Sequence, residues 1–445
     1  MAVFTIALVV QLVALRLTFV GKDAVYYYDD AKIALNILDG NGYSVSNEYR
    51  NWFFYEVVLK TAKLENPITV GTKATAIKQP VYGLLLTALF YLFGAKNFLV
   101  VFLVHSVISS LTVSVVFVAL RGAAPSGALA AALGAAVYPP FVLHSVSVPE
   151  STALLLLIIA SVWLWLVRVR DRPSWGLWIF GGSIGGLAVL TDPVTLPFVA
   201  ICACYGLWLD GRGLRGRLAA LATAGVVALV VVSPWLVRNY VVFHRFPVIK
   251  SGIGQAFNWG LHFGGNGSWI SEERLVELEK AGRSRTELEE DEALRRELLA
   301  LFPSHWREYV TYNVPLHVLH LWWDVPRYWN DYSLRYMAGR RLPYLLLLGL
   351  ALLHVPRAAA RLVRQPRATL RNEVVLVSAS ILALTYTVVY GVFGAFQSRY
   401  RLPVELGLFV FVAGTLGPAL EGAWRRWVSP GAAANEGATT EVVGF

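Results

Sequence analysis

Long uninterrupted apolar runs dominate this chain and decide what it can fold into. A bilayer core about 30 Å thick requires about 20 apolar residues for each helical span. The 445 residues are 56% hydrophobic and only 15% charged, whereas a soluble domain carries about 25% charged residues. Two cysteines in one apolar run cannot form a disulfide framework that stabilises a chain of this length. The sequence therefore excludes a cytosolic enzyme, a disordered chain and a disulfide scaffold, and it predicts an all-α polytopic membrane protein.

The apolar runs predict a transmembrane bundle of about ten spans. They lie near 2–20, 98–120, 124–140, 150–167, 174–190, 194–209, 218–235, 342–356, 373–393 and 403–420. A further run, Val81–Phe93, has only 13 residues between Pro80 and Gly94. Because this length is too short for a span, we expect a juxtamembrane or re-entrant helix there.

Arginines in the short connections predict the orientation. They are Arg121, Arg168, Arg170, Arg172, Arg212, Arg215, Arg217, Arg357, Arg361, Arg364, Arg367, Arg371, Arg425 and Arg426. If the segment 80–94 does not cross the membrane, all of these arginines lie on the same side of the bilayer. The positive-inside rule makes that side cytoplasmic. The net charge of +10 is therefore explained by arginines that set the membrane topology. A nucleic-acid partner is not expected. Both termini are then expected in the cytoplasm, and a bacterial inner membrane is the expected location.

This topology divides the chain into four parts. Residues 1–235 form an N-terminal transmembrane module that includes the first outer loop, 21–97. Residues 236–341 form a second outer region with short helices, 342–428 the C-terminal membrane helices, and 429–445 a disordered cytoplasmic tail. The run 2–20 predicts a membrane helix, since it has no basic segment before it and no small-residue cleavage site.

Two adjacent carboxylates, Asp29 and Asp30, follow three tyrosines in the first outer loop. Apolar residues at 31, 34, 35 and 38 have helical spacing, and Gly40 and Gly42 are typical of a helix end. One interpretation is a pair of acids that caps this short helix and complements its dipole. The other is a general base whose pKa is raised by partial desolvation. The residues alone leave both open.

Other polar residues gather on the same expected outer face. They are Lys78 just before Pro80, Glu150 after Pro149, Asp192 before Pro193, Asn258 in a glycine- and aromatic-rich loop, and Arg399 and Arg401 before the last span. Lys78 is either a lysine that snorkels to the headgroups or a phosphate ligand. Arginines on the outer side run against the positive-inside trend, which makes Arg399 and Arg401 informative. The five acids within 287–292 predict a solvated helix face in place of a metal site.

Taken in order, these motifs resemble the GT-C superfamily of polytopic glycosyltransferases, of the aminoarabinose-transferase and protein O-mannosyltransferase type. The motifs that carry the resemblance are Tyr28-Asp29-Asp30, the run Asn36 to Tyr43, Lys78-Gln79-Pro80-Val81-Tyr82, Tyr138-Pro139-Pro140 to Pro149-Glu150, and Pro234 to Tyr240. Each motif is short, but together they span roughly residues 1–420 in a shared order. The resemblance implies transfer of a sugar from a polyprenyl-phosphate carrier to an acceptor on the outer side, with inversion of the anomeric centre.

The resemblance also implies roles for single residues. Asp29 corresponds to the catalytic aspartate that deprotonates the acceptor, Asp30 to a second acid, and Lys78 to the lysine that contacts the donor phosphate. Because guanidinium groups pair with phosphate, we expect further phosphate ligands, namely Arg238, Arg399 and Arg401. Residues expected to bind sugar or acceptor are Tyr82, Glu150, Asp192 and Asn258.

The expected partners are a polyprenyl-phosphate sugar donor, a lipid, glycan or protein acceptor, and the bilayer itself. The sequence identifies no cofactor. Ile77 stands where the aminoarabinose-transferase pattern has an acid next to the lysine, which argues against a divalent metal. The alternative function is a transporter or flippase for lipid-linked sugars. Transporters place charges and repeated broken helices at mid-membrane, whereas the spans here are nearly free of charge at their centres.

Overall fold

The structure, a computed structural model, describes the helical part of the chain and one hairpin. Its described residues are 1–19, 29–46, 72–122, 125–246, 249–263, 269–271, 274, 277, 286–323, 337–394 and 398–428. The three tyrosines at 26–28, the glycine-rich stretch 264–268 and the expected tail 429–445 lie outside these residues.

The described residues form an all-α bundle, which confirms the predicted fold class. The helices, in chain order, are α1 (Ala2–Thr18), α2 (Asp29–Leu38), α3 (Pro80–Phe93), α4 (Phe98–Leu120), α5 (Pro125–Val137), α6 (Pro139–Ser147), α7 (Thr152–Asp171), α8 (Trp175–Thr191), α9 (Leu196–Leu209), α10 (Leu214–Phe243), α11 (Ile253–Phe263), α12 (Glu287–Glu308), α13 (Val314–Trp323), α14 (Leu342–Leu352), α15 (Val355–Arg364), α16 (Pro366–Asn372), α17 (Val374–Phe393) and α18 (Leu402–Val428). Two short strands, β1 (Ser44–Ser46) and β2 (Thr72–Ala74), pair antiparallel with Val45 opposite Lys73.

Six helical segments within the described residues are long and apolar enough to cross a membrane, and the bent pair α5–α6 makes a seventh. Three of the ten expected spans form shorter apolar helices instead, at Ala2–Thr18, Trp175–Thr191 and Pro193–Leu209. The last two are separated by Asp192 and Pro193, which end one helix and begin the next. The number of full-length spans is therefore lower than the sequence predicted.

Two boundaries differ from expectation for a local reason. The run 124–140 forms α5, which ends at Val137, and Pro139 and Pro140 begin a further helix, α6, which meets α5 at 45° and extends to Ser147. In contrast, α10 continues past the expected end at 235 to Phe243 and accommodates Pro234 in its interior. The short apolar run after Gln79 forms a 14-residue helix, α3, that ends at Gly94 with φ of 96°, close to the predicted bounds.

Small residues allow close packing inside the bundle. A Cβ added to Gly127 of α5 would lie 2.3 Å from the Ala413 carbonyl oxygen of α18, and one at Gly182 of α8 would lie 2.4 Å from the Ala224 carbonyl oxygen of α10. Glycines at helix contacts let backbones approach within the membrane, where packing has to replace the hydrophobic effect. Larger side chains at these two positions would push the helix pairs apart.

Candidate active site

The short helix α2 places the two adjacent aspartates side by side at its first turn. Its apolar face buries Ala31, Ile33 and Ala34, which fixes the helix against α3. The helix ends at glycines with positive φ, Gly40 at 80° and Gly42 at 65°, as the sequence predicted. This packing turns Asp30 inward, at 6% exposure, and leaves Asp29 half-buried.

The two aspartates therefore differ in environment. The Nζ of Lys78 lies 3.6 Å from Oδ2 of Asp30, so the lysine and the second acid are an ion pair. Asp29 makes no hydrogen bond or ion pair with any other residue that the structure describes. An unpaired carboxylate beside a buried ion pair is an arrangement that can accept a proton from a bound molecule.

Burial raises the pKa of Asp30, and the charge of Asp29 adds to this effect. The cations Lys78 and Arg399 oppose it, so Arg399 also lies near the pair. The site consequently contains a buried carboxyl group in which desolvation favours the neutral form and two nearby cations favour the ionised form.

This shift has a consequence for stability. Because the folded protein holds the Asp30 proton to a higher pH than the unfolded chain does, its stability falls as the pH rises from the ordinary pKa of 3.8 towards the raised value. The Asp30→Asn variant lacks this dependence. We therefore expect its thermal stability relative to the wild type to improve as the pH rises above about 4. Thermal unfolding of both proteins over this range, with Asp39→Asn as control, measures the trend; a relative stability that is constant or declines with pH would contradict it.

The segment that carries Lys78 is held on every side although it is neither helix nor strand. The Thr75 amide donates to the Tyr43 carbonyl at 3.2 Å, and the Tyr43 hydroxyl donates to the Gln79 carbonyl at 2.9 Å. The Ser251 amide donates to the Ala76 carbonyl at 3.1 Å. Satisfied backbone groups make such a segment rigid, and the position of Lys78 is fixed as a result.

Arg238 on α10 is part of this support. Its guanidinium donates to the carbonyl oxygens of Thr75 at 2.8 Å and Tyr43 at 2.6 Å, and it lies 5.0 Å from the Trp235 ring centroid. These contacts join α10 to the two residues that flank the paired strands, Tyr43 before β1 and Thr75 after β2. The structure thus gives Arg238 a role in holding the Lys78 segment, while its expected role as a phosphate ligand stays a prediction.

A second ion pair lies beside the first. Arg399 pairs with Glu150 and stacks over the Tyr400 ring at 5.1 Å. His144 Nε2 lies 4.0 Å from the other oxygen of Glu150. The sequence did not single out His144, since one histidine in an apolar stretch gives no distinctive signal. Asp30, Lys78, Glu150 and Arg399 therefore form two acid–cation pairs at one site.

The other expected residues are tied into the bundle. Arg401 is 3% exposed, pairs with Glu405 at 2.6 Å and lies 3.7 Å from the Tyr344 ring centroid. The Tyr82 hydroxyl lies 2.9 Å from Nε2 of His105. Asp192 accepts from the Val194 amide at 3.2 Å, and Asn258 is buried in α11. None of these contacts tests a role in binding sugar or acceptor.

The acid-rich helix α12 contains the residue that sequence reasoning missed. The expectation of a solvated face is wrong for Glu287, which is 1% exposed. Its carboxylate accepts from the Thr75 hydroxyl at 2.6 Å, from the Ala76 amide at 3.0 Å and from the Ser251 hydroxyl. Within the described ranges no three His, Cys, Asp or Glu side chains are grouped so that they could hold a metal ion.

Fold and site together define a class: a multi-pass membrane protein with an acid–cation site built on a juxtamembrane helix. Residues 77–237 match the family described as dolichyl-phosphate-mannose-protein mannosyltransferase. The match confirms the resemblance to the GT-C superfamily of polytopic membrane glycosyltransferases. It covers Lys78, Tyr82, Glu150 and Asp192 but not Asp29 or Asp30.

Two solved structures are similar to this chain. Both are ArnT from Cupriavidus metallidurans, one bound to undecaprenyl phosphate and one in the apo state. The first is 16% identical with a TM-score of 0.39, and the second is 17% identical with a TM-score of 0.37. Each similarity covers 96% of this chain and 79% of the other. No curated protein matches the chain significantly.

Proposed function

We propose that this protein is a glycosyltransferase that moves a sugar from a polyprenyl-phosphate donor to an acceptor. The proposal depends on two residues: Asp29, a carboxylate with no partner among the described residues, and Lys78, whose ion-pair partner is the adjacent Asp30. Transfer from a phosphate carrier needs a base for the nucleophile and a cation for the leaving group. The proposed base, Asp29, is the chain neighbour of Asp30, which pairs with the proposed phosphate ligand, Lys78.

The reaction follows from these positions. The Asp29 carboxylate accepts the proton of the acceptor nucleophile as this nucleophile forms its bond to the anomeric carbon. The bond from the anomeric carbon to the phosphate oxygen breaks, and its electrons remain on the polyprenyl phosphate. Attack from the side opposite the leaving group inverts the anomeric centre. Lys78 stabilises the charge that grows on the phosphate.

Arg399 and Glu150 provide a second pair for the same reaction. A guanidinium can bind two phosphate oxygens at once, and Arg399 already lies near Asp30. Donor binding would exchange its Glu150 partner for the phosphate. Glu150 would then be able to accept hydrogen bonds from the hydroxyl groups of sugar or acceptor.

The family match supports the nature of the donor. The description of the matched family names a dolichyl-phosphate-linked sugar, and dolichyl phosphate is a polyprenyl-type carrier. A lipid carrier also explains why the site lies on a multi-pass membrane protein: the long tail stays in the bilayer and the polar head reaches the membrane surface. The arginine-rich connections support an orientation in which that surface is the outer side of a bacterial inner membrane and both termini are cytoplasmic.

Purified protein in lipid nanodiscs tests the proposal directly. Incubation with radiolabelled polyprenyl-phosphate sugars and with lipid, glycan and peptide acceptors is expected to yield a labelled product of inverted configuration. The matched control is heat-denatured protein. Movement of labelled lipid across vesicles without any transfer would contradict the proposal and favour a flippase.

A further inference from the structure

The buried carboxylate of Glu287 joins two loops that are distant in sequence. It accepts hydrogen bonds from Thr75 and Ala76, three and two residues before Lys78, and from Ser251 in the loop before α11. The Ser251 amide in turn donates to the Ala76 carbonyl. One carboxylate thus ties the segment leading to Lys78 to the start of α11.

Its position on α12 is itself fixed. The Thr286 hydroxyl accepts from the Glu289 amide at 3.4 Å, and the Glu289 carboxylate accepts from the Thr286 amide at 3.1 Å. These two hydrogen bonds cap the start of the helix. One turn further, Asp291 accepts from the amides of Ile253 and Gln255, both at 3.1 Å. Because residues three to four apart lie on one helix face, Glu287 and Asp291 hold the neighbouring loops from the same side.

The Lys73–Glu290 ion pair adds a third connection between α12 and the hairpin, at 3.1 Å. It is less buried, with side-chain exposures of 26% and 28%, and such pairs contribute little. Buried hydrogen bonds to a carboxylate are stronger and more directional. The Glu287 bonds are therefore the stronger connection between α12 and this part of the chain.

We propose that Glu287 is a positioning residue for the donor site, which acts through Thr75 and Ala76 to hold Lys78 where the donor phosphate binds. This inference rests on the proposed function. Without the Glu287 carboxylate, the Thr75 hydroxyl and the Ala76 amide lose their hydrogen-bond acceptor. The ammonium then occupies a wider range of positions, and the phosphate meets it less often in the productive one.

A double-mutant cycle tests this route of action. In the wild-type background Glu287→Gln is expected to raise the donor KM about tenfold with a smaller effect on kcat, whereas in the Lys78→Ala background it should have little further effect. The control Glu297→Gln, on the same helix, removes the exposed pair with Arg274 and should leave the donor KM unchanged. Equal effects of Glu287→Gln in both backgrounds would overturn the proposal.

Variants of Thr75 give an independent test should Glu287→Gln fail to fold. Thr75→Val keeps the shape of the side chain and removes the hydroxyl, which donates to Glu287 and accepts from the Ile77 amide, while Thr75→Ser keeps the hydroxyl. We expect Thr75→Val to raise the donor KM as Glu287→Gln does and Thr75→Ser to behave like the wild type. A donor KM unchanged in Thr75→Val would overturn the proposal.

A binding measurement separates this inference from the proposed function. Retention of undecaprenyl phosphate by the protein, followed by native mass spectrometry, requires no turnover. If wild-type protein retains the lipid and Glu287→Gln does not, the positioning role stands even where no transfer is detected. Equal retention by wild type, Glu287→Gln and Glu297→Gln would overturn it.

Discussion

Asp29→Asn is expected to abolish sugar transfer and leave the fold unchanged. Asp29 has no ion-pair or hydrogen-bond partner among the residues that the structure describes, so an amide of the same size disturbs no contact there. The amide cannot accept the proton of the acceptor. Loss of a general base typically costs about 10²- to 10⁴-fold in rate, and we expect kcat to fall to this extent with little change in the donor KM.

The control for this variant is Asp39→Asn, the same substitution at an exposed residue just after α2. It should transfer sugar at the wild-type rate. Thermal unfolding of both variants shows whether the fold is intact. Asp29→Asn protein that is folded and turns over at the wild-type rate would exclude Asp29 as the base and would direct attention to Asp30.

Lys78→Ala is expected to weaken use of the donor. We propose that Lys78 contacts the donor phosphate. Its removal should lower kcat/KM for the donor by about 10²-fold, largely through KM, because a charge-assisted contact to the leaving phosphate is lost. Lys78→Arg should retain part of the activity because it keeps the charge. Initial rates over a range of donor concentrations measure both effects.

Removing Lys78 also leaves the Asp30 carboxylate buried without its cation, and this is destabilising in its own right. The double variant Asp30→Asn/Lys78→Ala separates the two consequences. It should recover thermal stability relative to Lys78→Ala and should still use the donor poorly. Lys96→Ala, at an exposed turn, serves as the control. A donor KM that is unchanged in Lys78→Ala would contradict the assignment of Lys78 to the phosphate.

The features that local sequence determines were predicted well. The apolar spacing and terminal glycines of 29–42 predicted α2, and Pro80 and Gly94 predicted the bounds of α3. The apolar runs predicted the helices of the bundle. The number of full-length spans was predicted less well, because the apolar runs 2–20, 174–190 and 194–209 were counted as spans, whereas they form shorter apolar helices.

Contacts between distant segments were not predictable from one sequence. Asp30 and Lys78 were both singled out, but the sequence did not indicate that they form an ion pair. The role of Glu287 was missed because its partners, Thr75 and Ser251, have no distinctive pattern and lie far away in the chain. Arg401 attracted attention as an outer arginine, yet its partner Glu405 one turn further on α18 makes it part of a buried pair.

The position of the bound lipid headgroup is the decisive test of the roles proposed for Lys78 and Asp29. An experimental structure of the protein in nanodiscs with undecaprenyl phosphate would show where the phosphate binds. We expect a phosphate oxygen within hydrogen-bond distance of the Lys78 ammonium, with the Asp29 carboxylate facing the space next to that oxygen. A phosphate bound elsewhere, or Asp29 turned away from it, would contradict the account.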